Sequence, residues 1–250
     1  MDRSFSSTAP SDRGNSKKVP APQYSKKQEA TKQVPVVIFD MDGILVDSND
    51  TWDLVMGKIF ASYGKSLSDF DKSALVGGDN SLQWGEHLRE FFACADSAEE
   101  IVDHVVGEMI AQYERHLPLI PGAADIVANL APHFSLGLAS SSPREIIAFI
   151  LKRSGLEKFL HTWVSSDDVN HGKPTPDVYL HCCELMGVAP ENALAVEDSR
   201  VGIWAAKAAG MKVIAIPQDS FPLGVETIAL ADLVLSSIKE LTRESIIALF

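Results

Sequence analysis

The chain has 250 residues, of which 46% are hydrophobic, and its formal net charge is −12. This length and composition suffice for one large domain or for a core with an insertion, and the acidic charge disfavours a general nucleic-acid or membrane-surface binder, which would be basic. No hydrophobic run approaches the roughly 20 residues of a membrane span, and no secretory signal is recognisable. The odd number of cysteines argues against a disulfide framework. We therefore expect a cytoplasmic protein that binds neither nucleic acid nor membranes.

The first 33 residues differ in composition from the rest of the chain. Residues 1–33 are rich in Ser, Lys, Pro and Gln and contain seven Lys/Arg against three Asp/Glu, a charge of +4, so the remainder carries −12 minus +4, or −16. A polar segment of this kind cannot bury enough hydrophobic surface to fold by itself. We predict a disordered tail over 1–33.

Short hydrophobic runs along the remainder of the chain predict the strands of a sheet. The first is VPVVIF at 34–39, and others lie at 134–140, 193–198, 212–217 and 232–237. Their continuous hydrophobic character is typical of strands that are buried on both faces. Helical patterns lie between the runs, one of them introduced by Ser142 as an N-cap and Pro143 as the first helical residue. The alternation predicts an α/β fold with a parallel sheet and helices on both sides.

Between about Asn49 and Leu117 the chain has helical patterns and no predicted strand. Ser97 and Glu100 have the spacing of a capping box, and hydrophobic residues follow at helical spacing. We expect Asp47 to be the N-cap of the first of these helices. A helical cap over 49–117 is therefore predicted, inserted into a core made of 34–48 and 118–250. A segment attached by two linkers is a candidate lid.

Polar residues follow several of the predicted strands directly. Because ligands bind beyond the carboxyl ends of parallel strands, residues that end different strands are expected to meet there. A proline-rich loop, HGKPTPD at 171–177, adds a lysine. The converging side chains are Asp40, Asp42, Ser140, Lys173, Glu197 and Asp198.

These side chains favour metal-assisted chemistry on a phosphate group. Four neighbouring carboxylates repel one another unless a cation neutralises them, and all-oxygen ligands suit Mg²⁺. The lysine and a serine hydroxyl could bind a phosphate, one carboxylate could attack the phosphorus, and an acid two residues later could transfer protons. The alternative is that Asp and Ser end strands only as turn formers and helix caps, which is common. The order D-x-D-G, Ser, K-P and E-D favours the chemical interpretation.

The same order resembles that of the haloacid dehalogenase superfamily. DMDGILVDS is similar to the first motif of that family, LAS to the second, GKPTPDVYL to the third and VEDSRVGIWAAKAAGM to the fourth. The resemblance extends over about residues 34–238. It implies a Rossmann-like parallel sheet core with a helical cap inserted after the first strand.

The resemblance also implies a role for each matching residue. Asp40 would be the nucleophile and Asp42 the general acid and base. The Mg²⁺ ion would be held by Asp40, Asp198 and the backbone carbonyl of Asp42, with Glu197 close by through water. The transferring phosphoryl group would be bound by Ser140, the Ser141 backbone N–H and Lys173.

The resemblance implies an Mg²⁺-dependent phosphatase of small phosphorylated metabolites, with sugar phosphates favoured. The closest subgroup joins sugar-phosphate phosphatases, phosphoglycolate phosphatases and beta-phosphoglucomutases, whereas true dehalogenases lack the acid found here at Asp42. The mutases usually carry a cap histidine where this chain has Trp52, and the pattern of Asp47, Ser48 and Trp52 is similar to that of hexose and hexitol phosphate phosphatases. A phosphoglycolate phosphatase, a beta-phosphoglucomutase and a non-catalytic binding protein remain alternatives. The sequence leaves the choice between monomer and dimer open.

Overall fold

The structure, a computed structural model, describes residues 35–70, 80–218 and 222–250. The tail predicted at 1–33 lies outside the described residues. Within the described ranges, no helix is both long and hydrophobic enough to cross a membrane.

One sheet of six parallel strands organises the described part of the chain, in the order β3-β2-β1-β4-β5-β6. The strands are β1 Val36–Phe39, β2 Leu136–Ser140, β3 Thr162–Ser165, β4 Ala193–Glu197, β5 Lys212–Ala215 and β6 Leu233–Val234. β1 lies between β2 and β4, and its Phe39 is opposite Leu138 on one side and Val196 on the other. The carboxyl ends of these three strands are therefore adjacent at one edge of the sheet.

Five of these strands coincide with the predicted hydrophobic runs, whereas β3 was not predicted. This strand is short, lies at the edge of the sheet, and leaves Thr162 and Trp163 partly exposed. It therefore lacks the continuous hydrophobic run by which the buried strands were recognised.

Helices connect the strands and cover the sheet. In chain order they are α1 Asn49–Ser62, α2 Ser81–Phe92, α3 Ala98–Arg115, α4 Ala123–Leu130, α5 Arg144–Ser154, α6 Asp177–Leu185, α7 Arg200–Ala208, α8 Val225–Ile228 and α9 Arg243–Ile247.

Hydrophobic residues pack on both faces of the sheet, as the sequence predicted. Val37 and Phe39 of β1 belong to a cluster that includes the buried face of α5, whereas Val36 and Ile38 belong to a second cluster with residues of α6 and α7. Successive residues of a strand point to opposite faces. The predicted Rossmann-like α/β fold with helices on both sides of a parallel sheet is confirmed.

Among the described residues, the α-helices α1 to α3 lie between β1 and α4, and we call residues 49–117 the cap segment. The predicted capping box of α3 is present: the Ser97 side chain accepts a hydrogen bond from the Glu100 backbone N–H, and the Glu100 carboxylate accepts one from the Ser97 backbone N–H. An aromatic cluster holds α1 and α2 together, with the rings of Phe60 and Phe92 edge to face at 4.9 Å and those of Tyr63 and Phe92 stacked at 4.3 Å.

The two linkers that join the cap segment to the core lie side by side and are connected by backbone hydrogen bonds. The Asp47 N–H donates to the Pro118 carbonyl at 2.8 Å, and the Ile120 N–H donates to the Leu45 carbonyl at 2.9 Å. The predicted capping role of Asp47 is wrong, because the N-cap of α1 is Ser48 and no side chain caps this helix. The Asp47 backbone pairs with Pro118 in the other linker, so Asp47 lies before the N-cap position. A local helix-start pattern does not contain this long-range pairing.

Candidate active site

The predicted site residues meet at the carboxyl edge of the sheet. Asp40 follows β1, and its backbone N–H donates to the Val196 carbonyl of β4 at 2.9 Å. Ser140 is the last residue of β2, and Glu197 is the last residue of β4. The side chains of Asp40, Ser140 and Glu197 are buried, whereas those of Asp42 and Asp198 are partly buried.

Lys173 lies at the centre of the group, with 2% of its surface exposed. Its Nζ donates to Asp40 Oδ1 at 2.7 Å, to Glu197 Oε1 at 2.6 Å and to the Ala139 carbonyl at 3.0 Å. Burial disfavours the charged amine, but the carboxylates of Asp40 and Glu197 outweigh it and raise the pKa of Lys173 above its usual range. Lys173 is therefore a buried cation that orients the Asp40 carboxylate.

Glu197 is fully buried and both of its carboxylate oxygens have protein partners. In addition to Lys173, Oε1 accepts from the Tyr179 hydroxyl at 2.7 Å, and Oε2 accepts from the Ser199 hydroxyl at 3.0 Å. A Cβ at Gly202 would lie 1.8 Å from Glu197 Oε1, so only glycine fits there. These contacts fix Glu197 as a support for Lys173.

A second glycine, Gly43, leaves the space that the Asp198 carboxylate occupies. Gly43 has φ of +77°, and a Cβ built on it would lie 1.9 Å from Asp198 Oδ2. The Gly43 carbonyl accepts a hydrogen bond from Gln218 Nε2 at 2.6 Å. The turn after Asp42 thus needs glycine for its backbone conformation and for the close approach of Asp198.

Three carboxylates at this edge of the sheet could hold one divalent cation. Asp40, Glu197 and Asp198 each offer an oxygen within 4.8 Å of the others. Burial raises the pKa of Asp198 well above its usual range, and the neighbouring carboxylates add to the shift. One lysine cannot balance three ionised carboxylates, so a hard cation would be needed to keep all three ionised together. The donor set therefore fits the metal that the sequence predicts.

The pKa of Asp40 is also raised by its surroundings. Its pKa is raised from 3.8 to about 8, and burial is the largest cause. The Lys173 ammonium opposes this shift, while the carboxylates of Glu197 and Asp42 add to it. In the metal-free protein the Asp40 carboxyl therefore binds a proton more tightly than an exposed aspartate does.

The Asp42 side chain contacts the loop after β2. Its Oδ2 accepts from the Ser142 hydroxyl at 2.7 Å and from the Ser140 hydroxyl at 3.4 Å, whereas Oδ1 is buried and has no protein partner. The prediction of Ser142 as a helix N-cap is wrong: α5 begins at Arg144, its N-cap is Pro143, and no side chain caps it. The hydroxyl of Ser142 is engaged by Asp42 instead.

The edge strand β3 supports this loop. The Ser165 hydroxyl donates to the Ser142 carbonyl at 2.7 Å, and the Ser166 hydroxyl donates to the Ser141 carbonyl at 3.0 Å. The predicted use of the Ser141 N–H for phosphate binding stays a prediction. These supporting hydrogen bonds were not predicted because β3 was not predicted, although the repeated serines in LASSS and VSS were a visible signal.

The cap segment contributes a buried hydroxyl near the site. Tyr113, in the last turn of α3, is fully buried, and its hydroxyl has no protein partner. Burial raises the pKa of Tyr113 far above its usual range, and the nearby Asp42 carboxylate adds to the shift. The Tyr113 hydroxyl therefore stays protonated and remains a hydrogen-bond donor on the cap side of Asp42.

Known proteins are similar in sequence to this chain over most of its length. A 221-residue alignment with hexitol phosphatase B of Escherichia coli K12 is 33% identical and covers 86% of this chain and 98% of that protein. The phosphorylated carbohydrates phosphatase of Thermotoga maritima is 32% identical over 71% of this chain and 82% of its own length. Both relatives therefore match the core and the cap segment together.

A solved structure is similar in both sequence and fold. The crystal structure of a putative beta-phosphoglucomutase from Thermotoga maritima superposes with a TM-score of 0.62 and 28% identity, and covers 80% of this chain and 94% of that chain. The shared fold includes the parallel sheet on which the candidate site is built.

A family model identifies the chain more directly. The model of haloacid dehalogenase-like hydrolases matches residues 37–216, which include all of the predicted site residues. The predicted resemblance and the predicted phosphoric monoester hydrolase are confirmed by this match and by the named phosphatases above. The chain belongs to the haloacid dehalogenase-like hydrolase family.

Proposed function

We propose that this protein is an Mg²⁺-dependent phosphatase that hydrolyses small phosphorylated carbohydrates through a phosphorylated Asp40. The observation that carries the proposal is the buried Asp40–Lys173–Glu197 arrangement, which orients one carboxylate and leaves excess negative charge for a metal. The relatives support a carbohydrate ester as substrate, because two of them are named for hexitols and phosphorylated carbohydrates.

Binding of the ester would use groups that the structure brings to one edge of the sheet. Lys173, the Ser140 hydroxyl and the Ser141 backbone N–H would bind the phosphoryl oxygens. Asp40, Asp198 and the Asp42 carbonyl would hold Mg²⁺, which neutralises phosphoryl charge when bound. Glu197 would act indirectly, since its oxygens already hold Lys173 and Tyr179.

Two displacement steps would then complete the reaction. In the first, an Asp40 oxygen bonds to phosphorus as the ester P–O bond breaks, and the leaving oxygen takes the proton of Asp42. In the second, water attacks the phosphorus, gives a proton to Asp42 and releases phosphate with Asp40 restored. The Ser142 hydroxyl would hold the Asp42 carboxyl in the orientation that both proton transfers need.

The proposal is tested by phosphate release from a panel of esters with Mg²⁺ and with EDTA. The panel contains hexitol phosphates, sugar 1- and 6-phosphates, phosphoglycolate and β-glucose 1-phosphate. We expect metal-dependent release, strongest with a carbohydrate ester, and none from Asp40→Asn, in which the nucleophile is lost but the side chain keeps its shape. Near-normal release by Asp40→Asn would refute the phosphorylated intermediate.

A beta-phosphoglucomutase is the second candidate, because the similar solved structure is named as a putative one. It is the weaker candidate, since Trp52 occupies the position at which the mutases usually carry a histidine. Phosphorus NMR of β-glucose 1-phosphate incubated with enzyme and Mg²⁺ separates the two: glucose 6-phosphate formed faster than inorganic phosphate identifies a mutase. We expect inorganic phosphate as the main product.

A further inference from the structure

A single carboxylate connects the amino end of a cap helix to that of a core helix. Asp167 lies in the short turn after β3. Its Oδ1 accepts from the backbone N–H of Ser81, the first residue of α2, at 2.8 Å, and its Oδ2 accepts from the backbone N–H of Arg144, the first residue of α5, at 3.1 Å. N–H groups in the first turn of a helix have no partner within the helix and favour a negative charge.

The turn that carries Asp167 also supports the candidate site. The Asp167 backbone N–H donates to the Ser165 hydroxyl at 3.1 Å, and the same hydroxyl donates to the Ser142 carbonyl at 2.7 Å. Ser142 in turn contacts Asp42. The carboxylate that contacts α2 is therefore attached rigidly to the loop that orients the proposed general acid.

This contact joins the cap segment to the core. Ser81 and Asp167 are far apart in sequence. Within the cap segment, α2 packs on α1 through the aromatic rings of Phe60 and Phe92. A hydrogen bond to a charged acceptor is stronger than a neutral one, yet both partners regain water when they separate. Such a bond can favour one position of a lid without locking it.

We propose that Asp167 is a positioning residue that holds α2, and with it the cap segment, closed over the phosphate site. The proposal rests on the proposed phosphatase function. The closed position excludes bulk water and brings cap side chains to the ester, so closing in advance of binding increases the affinity for substrate. The contact determines how much of the free enzyme is ready to bind, and it takes no part in the chemical steps.

Ser81→Pro removes the donor and little else. Proline lacks the backbone N–H but is favoured at the first position of a helix. The preceding residue, Asn80, has φ of −74° and ψ of 172°, a conformation that a following proline accepts. Ser81→Ala keeps the N–H and is the matched control, and Asp167→Ala removes the acceptor.

The kinetic test compares KM and kcat for the best ester of the panel. We expect Ser81→Pro and Asp167→Ala each to raise KM about tenfold, the size of one charged hydrogen bond, with little change in kcat, while Ser81→Ala matches the parent enzyme. The double variant should exceed Asp167→Ala by little, because Asp167→Ala already removes the bond to Ser81 together with the bond to Arg144. A merely structural role would lower kcat through loss of folded enzyme and leave KM unchanged, and that result would overturn the proposal. Additive increases of KM in the double variant would overturn it as well.

Amide hydrogen exchange tests the contact between Asp167 and α2 without an activity assay. In Asp167→Ala, amides of α2 should exchange faster than in the parent protein, whereas those in the middle of α3 should not change. Unchanged exchange in α2 would overturn the proposed contact even if the enzyme is an active phosphatase. If the parent protein releases no phosphate from any ester, the proposed function fails, and the exchange of α2 still decides whether Asp167 holds the cap segment.

Discussion

Lys173 shows how much of the candidate site depends on one side chain. It is a buried cation with two carboxylate partners, and it would also contact the phosphoryl group. The sequence indicated its position through the K-P motif but not its pairing with Glu197, because Glu197 was expected near the metal. The pairing depends on how β1, β2 and β4 are ordered in the sheet, which a linear pattern does not contain.

Lys173→Ala should therefore damage both stability and activity. Removing one partner of a buried ion pair leaves uncompensated charge and costs about 3–5 kcal/mol, so we expect the free energy of unfolding in urea to fall by about that amount. Phosphate release should be lost. Lys173→Met, which fills the space without the charge, is the control for packing, and full stability in either variant would contradict the buried pairing.

Ser142 carries a prediction about the chemical step. Ser142→Ala removes a hydroxyl 2.7 Å from Asp42 Oδ2 without changing the backbone. We expect turnover of an alkyl phosphate to fall about tenfold, because a misoriented acid protonates the leaving oxygen poorly. Turnover of p-nitrophenyl phosphate should fall less, since that leaving group needs no proton. Equal losses for both esters would contradict a role through Asp42.

At the scale of the elements, the strong patterns were predicted well and the weak ones were not. The buried strands and the α3 capping box followed from hydrophobic runs and cap spacing. β3 was missed because it is short and half exposed, and α5 was predicted to begin one residue early because a Ser-Pro pair resembles a helix start. In both cases tertiary contacts, rather than local preference, decided the structure.

The beginning of α7 supplies an element-scale test. Gly202→Ala would place a Cβ 1.8 Å from Glu197 Oε1, so either α7 or the carboxylate must move. We expect a loss of about 1–3 kcal/mol in the free energy of unfolding together with a large fall in phosphate release. Gly107→Ala in the interior of α3, where a Cβ has nothing within 4 Å, is the matched control.

Gly107→Ala should stabilise the protein, because alanine favours a helix over glycine by about 1 kcal/mol. Thermal unfolding and phosphate release of both variants, measured side by side, complete the test. If Gly202→Ala behaved like Gly107→Ala, the close approach of α7 to Glu197 would be refuted.

At the scale of the whole molecule, the excess negative charge of the site predicts how stability depends on pH and metal. The pKa of Asp40 is raised from 3.8 to about 8 in the folded protein. The folded state therefore binds a proton that the unfolded state releases, so stability falls as pH rises from about 4 to about 8. In EDTA, we expect this site to lower the melting temperature progressively over that pH range.

Added Mg²⁺ should reverse this loss, because an ion that binds only the folded state stabilises it. We expect the melting temperature at pH 8 to rise with Mg²⁺ in the parent protein. Asp198→Asn should show little rise and, in EDTA, should be at least as stable as the parent, since it removes one buried charge. An equal Mg²⁺ effect in both proteins would contradict the metal site.

The parallel pairing of β1 with β4 has a consequence for the newly made chain. Val36 lies beside Ala193, so β1 cannot pair with β4 until the fourth of the six described strands has been made. Until β4 has left the ribosome, the chain has neither Glu197 nor Asp198, and Lys173 lacks one of its two carboxylate partners. A growing polypeptide that ends before β4 therefore lacks the Asp40–Lys173–Glu197 arrangement on which the proposed activity depends, and we expect it to release no phosphate from esters.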